Sequence, residues 1–250
     1  MSIKKILVSQ PKPASDKSPY FDVARKHNVE IVFRPFIKIE GLSSRDFRKQ
    51  RINISDFTAI IFTARTAVDN FFRLCEEMRV TMPDTTKYFC TNEAVALYLQ
   101  KYIVYRKRKI FVGTTGKLAD LMPYFTRHKN ENYLLVVSDV SHSEDVKILQ
   151  DAKLKVTRAV MYRTVSNDFT EDEPFDYDML VFFSPQGIES LLKNFPSFEQ
   201  KDIAIAAFGV NSCKAVTDAG LRLDINAPNE KARSMAEAID IYLTETNTAK

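Results

Sequence analysis

Three strand–turn–helix blocks occur twice in this chain, in the same order in its two halves. Residues 60–69 align without a gap against residues 180–189, so that Phe62-Thr63-Ala64-Arg65 falls on Phe182-Phe183-Ser184-Pro185. Further on, Cys90-Thr91-Asn92-Glu93-Ala94 falls on Gly209-Val210-Asn211-Ser212-Cys213, and residues 115–119 fall on residues 232–236. Any two such units look alike, but three matched units in one order favour duplication. Two similar α/β lobes imply a cleft, and clefts at domain interfaces are where ligands usually bind.

A length of 250 residues accommodates one large domain or two of ordinary size. A hydrophobic share of 45% with 27% charged residues is that of a globular chain with a full core. The net charge of +4 permits anionic ligands without demanding nucleic acid. Cys75, Cys90 and Cys213 are odd in number and far apart, which points to reduced thiols in a cytoplasm. After Lys4 and Lys5 only Ile6-Leu7-Val8 precedes polar residues, too short for a signal peptide, and no apolar run is long enough to span a bilayer. His27, His128 and His142 have no ligand spacing, so a metal site is not expected.

Short apolar runs at 6–9, 30–36, 59–62, 87–90, 109–112, 133–138, 156–163, 179–183, 204–208 and 223–225 read as strands. Helical patterns lie between them at 20–26, 67–78, 93–102, 117–125, 187–194, 212–219 and 232–243. Strands alternating with helices predict parallel sheets covered on both faces. Residues 43–55 read as a polar, Arg-rich stretch. Ser141-His142-Ser143-Glu144 has capping-box spacing and opens a further helix to about Ala152. Glu171-Asp172-Glu173-Pro174 reads as a solvated connection, and 244–250 as a frayed tail. The order is one strand–helix–strand unit, three units, a second single unit, and three units again. Residue pattern alone does not say which single unit joins which triple.

Phe182-Phe183-Ser184-Pro185-Gln186-Gly187 delivers Ser184 to a helix start, where free N–H groups and the helix dipole favour an anion. Ser184 as a cap and Pro185 at the first helical position serve equally well to stop fraying. Phe208-Gly209-Val210-Asn211-Ser212 is a second such turn, with Asn211 or Ser212 able to cap or bind. No turn has the G-x-G-x-x-G spacing, a P-loop lysine or a G-x-S-x-G elbow. Cys90 at a strand end reads as a buried thiol. The basic run Tyr105-Arg106-Lys107-Arg108-Lys109 reads as a solvated loop before a strand, with nucleic-acid binding the alternative. Tyr162 ends its strand, where packing is the ordinary role of such a residue.

Together these segments resemble the uroporphyrinogen-III synthase family over nearly the whole chain. Phe62-Thr63-Ala64-Arg65 echoes the family's Phe-Thr-Ser-Pro, and Phe-Phe-Ser-Pro-x-Gly is intact at 182–187. Gly209-Val210-Asn211-Ser212-Cys213, continued by Gly220-Leu221, stands for Gly-x-Thr-Thr-Ala and a later Gly-Leu. Met161-Tyr162-Arg163-Thr164 stands for Val-Tyr-x-Thr. Departures are Ala64-Arg65 for Ser-Pro, Cys90 for a glycine, and Asn211 and Ser212 for paired threonines.

The resemblance implies two flavodoxin-like, parallel-sheet α/β lobes. One is discontinuous (1–35 and 165–250), the other spans 41–161, and a two-stranded hinge of antiparallel segments at 36–40 and 160–164 joins them. It implies cyclisation of hydroxymethylbilane to uroporphyrinogen III with inversion of ring D, in haem biosynthesis, by a cytoplasmic monomer using no cofactor or metal and binding neither nucleic acid nor membrane. The substrate's carboxylates would meet the turns at Thr63, Asn92, Thr115, Ser138, Ser184, Pro185, Gln186, Gly187, Asn211 and Ser212. Tyr162 would be the general acid. A non-catalytic two-lobed module binding an anionic small molecule would share this fold and need no Tyr162.

Overall fold

A computed structural model of the chain describes residues 3–140, 143–169 and 175–248. In chain order its elements begin β1 (Lys5–Val8), α1 (Pro19–His27), β2 (Glu30–Phe33), β3 (Ile37–Gly41), α2 (Ser44–Arg48), β4 (Ala59–Phe62), α3 (Arg65–Glu77), β5 (Lys87–Cys90), α4 (Glu93–Tyr98) and β6 (Ile110–Val112). They continue α5 (Met122–Arg127), β7 (Asn132–Ser138), α6 (Ser143–Asp151), β8 (Lys155–Ser166), β9 (Met179–Phe182), α7 (Pro185–Asn194), β10 (Ala204–Phe208), α8 (Val210–Asp218), β11 (Ile225–Ala227) and α9 (Met235–Thr248).

The chain divides into two compact units, one of residues 1–38 and 165–250, the other of residues 39–164. The first unit holds a five-stranded sheet in the order β11-β10-β9-β1-β2. Strand β1 pairs in parallel with both β2 and β9, Ile6 standing opposite Met179. The second holds a six-stranded sheet in the order β3-β8-β7-β4-β5-β6. Reading β7 for β1, β8 for β2 and β4-β5-β6 for β9-β10-β11, the two orders coincide, with β3 added at one edge. The duplicated blocks therefore occupy equivalent strands of two doubly wound sheets, and the single unit that joins each triple is now fixed.

The continuous apolar runs follow from burial on both faces. In the second unit Ile60 and Phe62 pack with Phe71, Leu74 and Val95, while Ala59 and Ile61 pack with Leu121 and Phe125 on the other face. In the first, Ile6 and Val8 meet Val23 and Ile239, while Leu7 meets Ile188 and Leu191. Fully burying one such aliphatic side chain contributes about 1.5–3 kcal/mol, so these two-sided cores hold each sheet.

Several boundaries differ from the sequence reading. Residues 43–55 contain α2 and a 3-10 turn at Ile54–Asp56, started by side-chain caps from Ser43 and Asn53. The expected helix at 117–125 splits into a 3-10 turn, Leu118–Leu121, followed by α5 with a proline in its first turn. The last strand lies at 225–227, two residues later than expected. The tail is not frayed up to Thr248, because α9 continues to that residue and Thr244 and Thr246 hydroxyls bond the carbonyls of Asp240 and Tyr242 one turn back. Ser141, His142 and the acidic connection 171–174 lie outside the described residues, so the capping-box reading does too; α6 begins at Ser143.

Candidate active site

In an open doubly wound sheet, ligands collect beyond the carboxyl ends of the strands, at the point where strand order reverses. In the first unit that point lies between β1 and β9. The Ser9 N–H donates to Val181 O at 3.0 Å, which ties the two strand ends together. Beyond β9, Ser184 takes the extended conformation and caps α7, its hydroxyl accepting from the Gly187 N–H at 3.3 Å. Pro185 has no N–H, and that of Gly187 is taken. The donors left at this helix end are the Ser184 O–H, the Gln186 N–H and the Gln186 amide. Gly187 is buried, and a Cβ there would sit 3.2 Å from Phe182 Cδ1 and 3.9 Å from Ser9 Oγ. The glycine thus lets α7 approach β9 and β1 closely.

Asn211 and Ser212 do not form the turn after β10. Gly209, at φ 84°, turns the chain and stands at the N-cap with no side-chain cap, so α8 starts at Val210. Ser212 is buried within the first turn, while Asn211 is exposed. Asn211 shares a groove of about 450 Å³ between α7 and α8 with Pro185 and Lys214.

In the second unit the equivalent reversal lies between β7 and β4. Thr63 lies in the bend after β4, and its carbonyl accepts from Thr91 Oγ1 at 3.3 Å. Ala64 stands at the N-cap of α3 and offers no side-chain cap. Arg65 at the first helical position is exposed, with its guanidinium 5.5 Å from the Tyr98 ring centroid. Where Ser184-Pro185 closes its helix end, Ala64-Arg65 leaves N–H groups open and adds a cation. Arg65 escaped the sequence reading, although the departure of Ala64-Arg65 from Ser-Pro was the signal for it. Asn92 caps α4, accepting from Val95 N at 3.0 Å, which leaves its amide N–H₂ to donate.

Thr115 is engaged differently. Its N–H and hydroxyl donate to Asp120 Oδ2 at 2.5 and 2.8 Å, and Thr114 N–H joins them at 3.1 Å. These bonds, the Thr115 N–H first, hold the Asp120 carboxyl below its ordinary range. An anion at Thr115 would have to displace that carboxylate.

Ser138 ends β7, and its register partner is Tyr162. Val137 pairs with Val160, so Met161 is an extra residue and β8 bulges there. Ala159, Met161 and Tyr162 accordingly join the same core cluster, on the face that holds Phe71 and Val95. Strict alternation would have sent Tyr162 to the opposite face from Met161; the bulge re-aims it. The residue is 8% exposed, and burial raises its phenol above the ordinary tyrosine value. Among the described residues no polar side-chain atom is both enclosed and unpaired, and none donates to or accepts from the Tyr162 hydroxyl. The ring is therefore packed while the hydroxyl is unpaired and reaches solvent.

Residues 19–237 match the protein family described as Uroporphyrinogen-III synthase HemD. The chain belongs to that family. A comparison with curated protein sequences gives no significant match. Among solved structures, uroporphyrinogen-III synthetase from Helicobacter pylori is similar at 15% identity, covering 97% of this chain and 100% of that one, with a TM-score of 0.59. A mutant uroporphyrinogen III synthase from Thermus thermophilus is similar at 12% identity, covering 99% and 100%, with a TM-score of 0.50. At such identity these two structures speak for the fold. As a uroporphyrinogen-III synthase family member, the chain is an enzyme of haem and tetrapyrrole biosynthesis that cyclises hydroxymethylbilane to uroporphyrinogen III. Its substrate is a small tetrapyrrole. No described helix is long and apolar enough to cross a membrane.

Proposed function

We propose that Tyr162 supplies the proton for loss of the terminal hydroxyl of hydroxymethylbilane, and that the strand-end turns hold the substrate's carboxylates. The observation that carries this reading is the β8 bulge, which packs the Tyr162 ring while its hydroxyl stays unpaired. Burial keeps the phenol protonated at neutral pH, so it is able to donate. The hydroxyl leaves as water and an azafulvene forms. Attack by the substituted carbon of ring D gives a spiro intermediate, which reopens and closes with that ring inverted. The protein's main work is to keep the chain folded for that attack.

Carboxylate recognition falls to the Ser184 hydroxyl, Gln186, Asn92, Ser138 and the open end of α3 at Thr63-Ala64-Arg65. Pro185, Gly187, Asn211 and Ser212 shape the helix starts, and Thr115 contributes once Asp120 gives way. The connections at 36–40 and 160–164 serve as the hinge. The enzyme works as a monomer without metal or cofactor, and its free cysteines suit a reducing cytoplasm. Nucleic acid has no part in this reading, because a net charge of +4 over 250 residues does not call for it.

Incubation with hydroxymethylbilane, followed by separation of the I and III isomers, tests the assignment. The Tyr162→Phe chain should stay folded and lose about 10²-fold in turnover, the usual size for a general acid, so that bilane closes spontaneously to the I isomer. Formation of the III isomer by Tyr162→Phe at the unsubstituted rate would remove the role.

A further inference from the structure

A cavity of about 500 Å³ lies at the opposite end of the second unit's sheet from the turns just described. Its walls include Tyr88 and Ile110, near the starts of β5 and β6, and the segments that lead into those strands. Asn92 and Thr115 follow the same parallel strands at their far ends. The cavity therefore belongs to neither set of carboxylate-binding turns.

Its chemistry is specific. Phe72 and Tyr102 stack with centroids 4.6 Å apart and planes 8° apart, and Tyr88 stands 6.5 Å from Phe72. Thr86 and Tyr88 are only 3% and 5% exposed, yet no described residue pairs with either hydroxyl. Because no described polar side-chain atom is both enclosed and unpaired, these hydroxyls open onto free space, and the cavity they line is that space. Burial raises the Tyr88 phenol, so it stays a neutral hydroxyl able to donate or accept. Lys109 and Arg106 also line the cavity; Lys109 has no ion pair among the described residues, and Arg106 has an exposed one to Asp84. Glu76 and Asp84 line it too, which disfavours a polyanion such as the enzyme's own substrate.

We infer that this cavity is a second ligand site, which takes a small flat aromatic monocarboxylate. The ring lies against the Phe72, Tyr88 and Tyr102 walls, the carboxylate meets Lys109 and Arg106, and a polar ring group meets the Thr86 and Tyr88 hydroxyls. A concave pocket of this size, with aromatic walls and a few convergent polar groups, has the form of a small-molecule site.

The test uses the full chain and indole-3-acetate, which carries one flat ring system, one carboxylate and one N–H. The chain has no tryptophan, so indole fluorescence reports the probe alone. Titration should saturate at one site per chain. Lys109→Glu should weaken binding about tenfold, and Tyr88→Phe and Thr86→Val several-fold each, as expected for losing single hydrogen bonds. Lys107→Glu, whose side chain does not line the cavity, should bind as the unsubstituted chain does, and uroporphyrinogen III should not displace the probe. The site is overturned by any of four results: no saturation, equal weakening by Lys107→Glu, an unchanged affinity in the Tyr88→Phe/Thr86→Val double variant, or displacement by the product.

Discussion

Ser138 and Tyr162 are register partners across β7 and β8, and Met161, between Val160 and Tyr162, has no register partner on β7. One extra residue decides which way the tyrosine faces. The strand ends beyond the bulge are then pinned by Asp139. Its N–H donates to Tyr162 O at 3.2 Å, and its Oδ1 accepts from Thr164 N at 3.1 Å and Val140 N at 2.9 Å.

Asp139 therefore acts through Tyr162. Asp139→Ala removes the acceptor that holds Thr164 and should lower kcat several-fold with little change in KM. Asp139→Asn keeps an oxygen in place and should recover most of the loss. Because the carboxylate is exposed, the stability change should stay within about 1 kcal/mol. Steady-state kinetics on both variants decides the matter: a rise in KM alone, or no rescue by Asn, would show that Asp139 does not position Tyr162.

Arg65 and Ser184 stand at equivalent helix starts and should fail in different ways. Arg65→Ala removes a cation from an uncapped end and should raise KM roughly five- to twentyfold, the size of one lost charge-assisted hydrogen bond. Ser184→Ala removes a cap as well as a carboxylate donor, so it should cost about 1 kcal/mol of stability in addition to raising KM. A chain in which Arg65→Ala leaves KM untouched would shift carboxylate recognition away from α3.

How much of this was legible in the sequence follows from the kind of signal. The runs Ile60-Ile61-Phe62 and Leu180-Val181-Phe182 announce strands because both faces are buried, and their repetition announces two sheets. The residue pattern alone does not announce the edge strand β3, because Ile37-Lys38-Ile39-Glu40 is short and alternates with charge as an exposed connection does; only the family resemblance pointed to an extended segment at 36–40, as one half of a two-stranded hinge. Asn211 and Ser212 read as turn residues by composition, but Gly209 at φ 84° makes the turn first and leaves them helical. The bulge at Met161 left no trace, since inserting one residue in an apolar strand changes register without changing composition. Nor could spacing reveal that Asp120 folds back onto Thr115, five residues away.

Gly113 marks a place where backbone approaches backbone. A Cβ there would lie 2.6 Å from the Thr91 carbonyl oxygen and 3.1 Å from Asp120 Cβ. The Gly113 N–H also bonds Cys90 O at 2.8 Å, so neither chain is free to retreat. Gly113→Ala should destabilise the protein by about 1–3 kcal/mol, the range for overpacking, and should displace the neighbouring Asn92 turn. Denaturant unfolding measures the first effect and KM the second; an unchanged midpoint would mean that β5 and β6 separate easily.

Burial of thiols predicts the alkaline limit. Cys75 and Cys90 are buried, and desolvation pushes both thiols from 9.0 up to about 12. In the unfolded chain they ionise near 9, whereas in the folded chain they keep their protons. A folded value above the unfolded one means that the stabilisation is complete below pH 9 and is lost as pH rises towards 12. Each thiol contributes a slope of about 1.4 kcal/mol per pH unit inside that window, so the pair should cost roughly 3 kcal/mol by pH 10. Unfolding midpoints in denaturant at pH 8 and pH 10 would show the drop. The Cys75→Ala/Cys90→Ala double variant should be less stable at pH 8, because it leaves two small cavities, yet lose much less between pH 8 and pH 10. Equal losses in both chains would assign the alkaline limit to the buried tyrosines instead, whose phenols are raised by the same desolvation.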